Sequence, residues 1–395
     1  MSAAPGGHPI VPRPVRGLSL VSLLNDFSSE MVYPLLPAFV TRVLGGGAVT
    51  LGALDGAADL TAAALRWVSG RLADHPGWSR RLITGGYGLA VMVRPLVAIT
   101  SAAWQVIGLR VLDRLGKGLR SPARDALIAK LTPLDARGRA FGFHRAADHL
   151  GAVAGSLAAW LLLSRQTDVR GVILLSAVPG ALALVVLWRV LRRIDPQVVL
   201  FVPEADEPAA PRDRENRGFW MPIVALTALT VARLPETLLL LRLQDLGLAV
   251  AMVPLAWAGL HVVRTLAAYP GGWLSDRIGP RFTLAAAGVV FAAVLFLLSR
   301  DLTAVAAVAV FLVLGLVAGL AEGGERAVVA FLAPWRTGRA FGSAQALAGV
   351  AALPAGVLFG LLYQSRGGAS ALMASALATV VAALLWAVAT PRRMV

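Results

Sequence analysis

Long apolar stretches alternate with short polar connectors along the whole chain, and the stretches are too long for helices of a soluble core. Twelve of them can be counted, at approximately 17–41, 48–70, 82–100, 102–123, 139–163, 170–190, 219–241, 248–274, 282–299, 302–326, 339–363 and 369–390. Most approach or exceed the roughly 20 residues a helix needs to cross an apolar layer ~30 Å thick. This pattern predicts an all-α integral membrane protein with twelve transmembrane helices. Six spans lie on each side of Asp195–Arg217, a polar segment rich in Pro, Arg and acidic residues that reads as a linker. The expected organisation is a six-helix bundle over 1–194, a linker over 195–217 and a second six-helix bundle over 218–395. Spans 4 and 10 stand apart, because charge crowds their ends.

The two sides repeat one another. Gly70-Arg71-Leu72-Ala73-Asp74 returns as Gly272-Trp273-Leu274-Ser275-Asp276. Gly138-Arg139-Ala140-Phe141-Gly142 recurs letter for letter as Gly338-Arg339-Ala340-Phe341-Gly342. The run from Arg124 to Pro133 matches that from Glu325 to Pro334. The offsets are 272 − 70 = 202, 338 − 138 = 200 and 325 − 124 = 201. Three matches in one order at one spacing indicate a duplicated membrane protein, an arrangement that suits a site at the seam between halves.

Composition agrees: of 395 residues 57% are apolar and 15% charged, with mean hydropathy +0.72. The net charge of +15 would suggest nucleic acid if it were gathered in a soluble domain. Instead, arginine and lysine concentrate in alternate connectors: Arg13 and Arg16; Arg71, Arg80 and Arg81; Lys117 through Arg139; Arg189 through Arg217; Arg277 and Arg281; Arg336 and Arg339; Arg392 and Arg393. This is the positive-inside asymmetry, which puts both termini and the linker in the cytoplasm. None of these connectors is long enough to fold into a nucleic-acid-binding domain. The chain has no cysteine, so disulfides, thiolate metal sites and thiol nucleophiles are excluded. The first apolar run leads into further spans rather than to a cleavage site, and reads as a working helix.

The repeated blocks resemble a known signature. Gly70-x-x-x-Asp74 with Gly77, Arg80 and Arg81 resembles the span 2–3 loop of the major facilitator superfamily. The copy Gly272-x-x-x-Asp276-Arg277-x-Gly279-x-Arg281 is the closer match, since the first has His75 where arginine is usual and an added Pro76. Arg110 with Gly116 and Gly118 looks like the family's span-4 arginine motif. Gly151-x-x-x-Gly155 resembles the motif of its antiporters, with Ser156 in place of the expected proline. The resemblance covers essentially the whole chain and points to the bacterial efflux, antiporter-like branch. It implies that Gly70, Asp74, Arg81, Gly272, Asp276 and Arg277 latch and release the cytoplasmic ends of the halves. Helix N-termini suit such carboxylates, and the two Gly-Arg-Ala-Phe-Gly copies open spans 5 and 11.

Ionisable groups inside a bilayer cost about 2.5–3.5 kcal/mol each on insertion scales, so they face a cavity or a partner. Asp26 and Glu30 are four apart on one face of span 1, as are Asp55 and Asp59 in span 2. Two such aspartates repel when both are charged, so at least one should be neutral or paired. At ~1.5 Å per residue, Asp26 lies roughly 14 Å and Glu30 roughly 20 Å from the start of their span, and Arg110 and Arg114 about 12 and 18 Å from the start of theirs. The resemblance implies that spans 1, 4, 7 and 10 line a central cavity, which gathers Asp26, Glu30, Arg110, Arg114, Arg233, Glu236, Glu322 and Glu325. A buried carboxylate beside an arginine can exchange protons, which needs neither cofactor nor metal. Asp26 and Glu30 are the leading candidates for this coupling. Arg120 and Arg124 are expected as interfacial anchors, Arg145 and Asp148 as a possible pair within one helix, and the tryptophans, Trp257 and Trp386 among them, as an interface belt.

A membrane-embedded enzyme would need a nucleophile with its base or a metal motif, and no HExxH or similar pattern exists. A channel would explain the spans but not the duplicated charged loops. No GxxxxGK[ST] nucleotide loop is present, which favours a proton gradient as energy source. The expectation is a monomeric secondary transporter in the bacterial cytoplasmic membrane that moves a small polar, charged or zwitterionic solute. Proton-coupled efflux leads; uptake or uniport is the alternative.

Overall fold

The structure, a computed structural model, describes residues 11–73, 78–132, 137–194, 216–332 and 337–390. Among the described residues the regular structure is helical throughout. The helices are α1 Arg13–Val32, α2 Ala48–Ala73, α3 Trp78–Leu96, α4 Ala103–Lys130, α5 Arg137–Ser164, α6 Val169–Leu175, α7 Ala177–Arg193, α8 Asn216–Val231, α9 Glu236–Asp245, α10 Val253–Ile278, α11 Pro280–Leu298, α12 Ala304–Leu332 and α13 Thr337–Ala389. Several run a turn or two past the apolar windows, α4 from 123 to Lys130 for example. The apolar window marks the stretch that faces lipid, whereas backbone hydrogen bonding continues into charged sequence.

Nine segments among the described residues are long and apolar enough to cross a membrane. One of them, Ala344–Ala389, covers 46 residues, and the helix that contains it bends at Gly367, where φ is +84°. That conformation is open to glycine and strained for other residues. Helices α1 and α4 have 20 and 28 residues, but their charged residues set them apart from the apolar nine. Large apolar side chains cover the outside: Ile99, Val305 and Val388 are 73%, 83% and 79% exposed. Apolar exterior of this kind is expected where lipid is the solvent.

Two apolar runs are not continuous helices. After α1 the chain passes through a 3-10 turn, Tyr33–Leu35, and a π-helical turn, Phe39–Val43, on either side of Pro37. Between α8 and α9 the helix breaks at Ala232–Pro235, since Pro235 cannot donate a backbone hydrogen bond. The break leaves the carbonyl of Ala232 without a helical partner, and Ser375 Oγ donates to it at 2.6 Å. Irregular backbone at this depth is tolerated because a neighbouring helix supplies the missing bond.

Glycines set the closest helix contacts. A Cβ on Gly151 or Gly155 of α5 would collide with the carbonyls of Leu23 or Phe27 on α1. The Gly-x-x-x-Gly pair with the antiporter-like spacing therefore holds α1 and α5 together. Helix α2 packs along α13 in the same way: a Cβ on Gly52 would strike the carbonyl of Gly356, and one on Gly56 would come 2.6 Å from the Cα of Leu353. This seam joins segments on opposite sides of residues 195–215. Near one end of it, Val49 N–H donates to Gln364 Oε1 at 3.4 Å. At the same end Val43, Leu163, Asp168 and Val250 come together around one depression. At the α10–α11 connector a single residue, Gly279 with φ +82°, turns the chain into Pro280 at the first helical position.

Candidate functional site

Beneath that end of the seam lies a cavity of about 360 Å³. Its wall comes from segments on both sides of residues 195–217 in the sequence: Tyr33, Asp55, Asp59 and Arg114 before them, Arg233, Glu236, Trp257, Arg264, Phe291 and Phe311 after them. Three carboxylates and three arginines therefore face one space whose remaining lining is mainly apolar and aromatic. Charges kept from water need partners, so this wall suits a solute that carries charge itself.

The helix break supplies two of these groups. Arg233 sits in the break and pairs with Glu325 of α12 at 3.2 Å, its guanidinium 5.4 Å from the Phe291 ring. Glu236 opens α9. The partial positive charge of a helix N-terminus favours a carboxylate there.

Asp55 is the most heavily bonded acid of the wall. It accepts from Thr237 N at 3.1 Å and from Thr237 Oγ1 at 2.7 Å, and Tyr33 Oη lies 3.2 Å from its other oxygen. Tyr33 Oη is also 3.4 Å from Glu236 Oε2. The phenol thus stands between an acid of α2 and an acid of α9. Arg110 covers the Tyr33 ring, its guanidinium carbon 4.5 Å from the centroid. On the opposite wall Trp257 packs against Tyr33 with centroids 5.3 Å apart and meets His261 edge-on at 5.0 Å. Its indole Nε1 donates to Glu30 Oε2 at 2.7 Å.

A second charged cluster lies behind the wall. Asp113 receives Arg94 Nε at 2.9 Å and Arg110 Nη1 at 3.4 Å, and Arg94 Nη1 also donates to the carbonyl of Asn25 at 2.8 Å. All three side chains are buried. This network ties α1, α3 and α4 together and holds Arg110 over Tyr33.

The residues expected from sequence separate accordingly. Arg114, Arg233 and Glu236 line the cavity. Glu30 reaches it through Trp257, and Arg110 through the Tyr33 ring. Asp26 accepts from its neighbour Asn25 at 2.8 Å and is not among the lining residues. Glu322 is placed on α12 by backbone alone. Among the loop residues, Asp74 lies outside the described residues. Gly70 lies in the last turn of α2, Gly272 lies in α10, and Asp276 and Arg277 occupy the last turn of α10. Arg81 is exposed near the start of α3, its guanidinium 5.8 Å from the Trp78 ring.

Some expectations need correction. Trp257 and Trp386 are 3% and 0% exposed, so neither belongs to an interface belt. Trp386 Nε1 donates to the carbonyl of Arg281 at 3.0 Å, and Trp257 is a wall of the cavity. Arg120 and Arg124 are not surface anchors: Arg120 is buried under the Tyr87 ring at 4.6 Å, and Arg124 bonds Ser22 Oγ at 3.0 Å and Asp125. Sequence reasoning left Tyr33, Thr237, Trp257 and Arg264 off the site. Helical spacing held a signal for three of them: Tyr33 follows Glu30 by three, and Trp257, His261 and Arg264 fall at i, i+4 and i+7 on one face.

Comparison with known proteins adds the following. The profile of the Major Facilitator Superfamily matches residues 18–263. An uncharacterised protein of Mycobacterium tuberculosis is 33% identical over 392 residues, covering 94% of this chain and 91% of that one. An uncharacterised MFS-type transporter of Methanocaldococcus jannaschii is 27% identical over 379 residues, 93% of each chain. The multidrug resistance protein MdtH of Photorhabdus laumondii is 31% identical over 171 residues, 43% of this chain and 41% of that one. Among solved structures, a POT family transporter in complex with 5-aminolevulinic acid superposes with a TM-score of 0.80 at 12% identity over 96% of each chain. An inward-facing bacterial homologue of the human lysosomal transporter Spinster gives 0.74 at 16% identity over 97% of this chain and 98% of that one.

Proposed function

Because the chain belongs to the major facilitator superfamily, we propose that it is a secondary active transporter that carries a small polar, charged or zwitterionic organic solute by alternating access. The observation that carries this reading is the cavity, built from both sides of the linker and lined by three acids and three arginines. A solute with one charge would leave several of these groups without a counter-charge; one with both signs meets them together. The apolar and aromatic remainder, Trp257, Phe291 and Phe311, takes up the carbon skeleton.

The topology that fits is twelve spans in two six-helix bundles, 1–194 and 218–395, with 195–217 and both termini in the cytoplasm. The nine apolar segments support this reading, in which α1 and α4 are added as spans and α13 is divided at Gly367. The protein works as a monomer in the bacterial cytoplasmic membrane. Gly70, Asp74 and Arg81, with Gly272, Asp276 and Arg277, form the cytoplasmic latch. With contacts continuous around Gly52, Gly356 and Gln364, the opposite end of the seam is the closed one.

Proton-coupled efflux is the direction we favour, and the partial likeness to MdtH supports it. Carboxylates at Glu236, in the cavity wall, and at Glu30, bonded to the lining residue Trp257, supply the proton sites, with Asp26 and Glu322 as further candidates. The test is transport of candidate zwitterions in proteoliposomes, with and without an imposed pH gradient. Accumulation against the solute gradient that collapses when protons equilibrate supports antiport. Equal flux in both conditions leaves uniport as the mechanism, and flux through unsaturable pores removes the carrier reading.

A further inference from the structure

Tyr33 Oη has two carboxylates within reach and one hydrogen to give. Asp55 Oδ1 is 3.2 Å away and Glu236 Oε2 is 3.4 Å away. Both approaches exceed the ~2.7–2.8 Å of an ideal O–H···O bond. The phenol gives its one hydrogen to one acid, so a full bond to the other needs a hydrogen from that acid's own carboxyl. Asp55 already accepts both donors of Thr237, at 3.1 and 2.7 Å, so with Tyr33 it takes three donors, which favours its ionised form. Glu236 then bonds the phenol oxygen only by donating, which requires a proton on its own carboxyl. Were both acids ionised, two negative charges would converge on one oxygen with one hydrogen between them.

We propose that Asp55, Tyr33 and Glu236 form a proton-loaded bridge, in which one proton on Glu236 closes the seam over the cavity. This deepens the transporter reading and rests on it. The bridge has the right place for a roof. Asp55 lies on α2, Glu236 opens α9 beyond the linker, and Thr237 Oγ1 also reaches the carbonyl of Leu51, 3.3 Å away. Loss of the proton charges Glu236 opposite Asp55 and drives the two sides apart at this end; solute and proton then compete for the same arrangement of acids.

Other charged groups face the bridge from every packed element. Arg110 covers the Tyr33 ring, while Arg114, Arg233 and Arg264 line the cavity below it. Asp59 is one turn along α2, and Glu30 and His261 stand against Trp257. The arginines favour two ionised acids and the neighbouring carboxylates oppose them. The bridge adds what neither group supplies: a geometry that is satisfied with one proton and unsatisfied with none.

The absence of native cysteine permits a direct measurement. Ser164→Cys and Ser365→Cys place spin labels on exposed positions before and after the linker. Distances are recorded by pulsed electron resonance in nanodiscs, with no solute and no gradient. In the otherwise native protein, alkaline buffer should shift population from the short to the long distance. Glu236→Gln mimics the protonated acid, because its amide donates to the phenol, and should hold the short distance in acid and alkali alike. Tyr33→Phe should lose the short population in both buffers. A native distribution that ignores pH overturns the proposal, as does an unaltered pH response in Glu236→Gln. Neither result touches the transporter reading, which stands or falls on flux in proteoliposomes.

Discussion

Trp257 Nε1 donates to Glu30 Oε2 at 2.7 Å, which joins residues 227 positions apart across the cavity wall. The bond gives a part-buried carboxylate of α1 a donor from α10, which lies beyond residues 195–217 in the sequence. Whichever way α10 moves relative to α1 in a transport cycle, this contact must lengthen or break.

Trp257→Phe tests its weight. The ring still fills the space beside Tyr33, but Glu30 loses its donor. A hydrogen bond to a charged group contributes about 1.5–3 kcal/mol, so transport per folded molecule should fall roughly tenfold or more. Trp386→Phe is the control, since that indole bonds the carbonyl of Arg281 away from the cavity and its loss should lower stability alone. Native flux in Trp257→Phe would show that the contact carries nothing.

The helices were legible because lipid imposes one length and one polarity on every span. The predicted window 48–70 became Ala48–Ala73, and 139–163 became Arg137–Ser164. The site was legible only as far as charge is surprising in lipid, which marked Arg114, Arg233 and Glu236. Tyr33 and Thr237 drew no notice because neither is costly to bury, and tryptophan is usual at interfaces. Asp55 was read as one of a repelling pair, yet its relief comes from Thr237 and Tyr33, partners fixed only by tertiary packing. Arg110 shows the converse: its depth marked it, and Asp113 three residues on holds it.

Asp113 should prove structural. It is the shared acceptor of Arg94 and Arg110, and all three are buried. Breaking a buried pair from one side typically costs about 3–5 kcal/mol. Asp113→Asn should therefore lower the unfolding temperature in detergent markedly, and adding Arg94→Gln should recover part of the loss. An unchanged melting curve for Asp113→Asn would refute this account.

The glycine seam gives a third prediction. Valine at Gly356 would press its side chain on the backbone of Gly52, and overpacking of this kind costs about 1–3 kcal/mol. The easiest relief is separation of α2 from α13 along this seam. Leu51, 0% exposed, reports on this when replaced by cysteine. Gly356→Val should speed its labelling by a membrane-impermeant thiol reagent several-fold, with transport slowed. Unchanged labelling would mean that the seam yields elsewhere.

The repeated loops make a separate claim. Asp276 occupies the last turn of α10, and its counterpart Asp74 follows the end of α2. If both hold the cytoplasmic ends of the halves together, Asp276→Asn and Asp74→Asn should each slow transport while leaving membrane insertion intact. Wild-type rates in both variants would reduce these residues to topogenic charges.

Asp26 and Glu30 entered as equals, four residues apart at similar depth, and their surroundings now separate them. Asp26 is bonded to the side chain of Asn25, its neighbour on the same helix, and that bond can persist whatever the halves do. Glu30 is bonded to Trp257 on α10, so any movement of α10 against α1 would alter its environment. A group that couples a gradient to movement must differ between states, because a charge held identically in both shifts no equilibrium. Glu30→Gln should therefore cut gradient-driven accumulation roughly tenfold, the loss expected from about 1.4 kcal/mol of differential interaction. Exchange of solute for solute, which moves no net proton, should survive. Asp26→Asn should leave both modes near the native level. The two variants are to be compared in proteoliposomes in both modes; loss of accumulation in Asp26→Asn with Glu30→Gln unaffected would reverse the assignment.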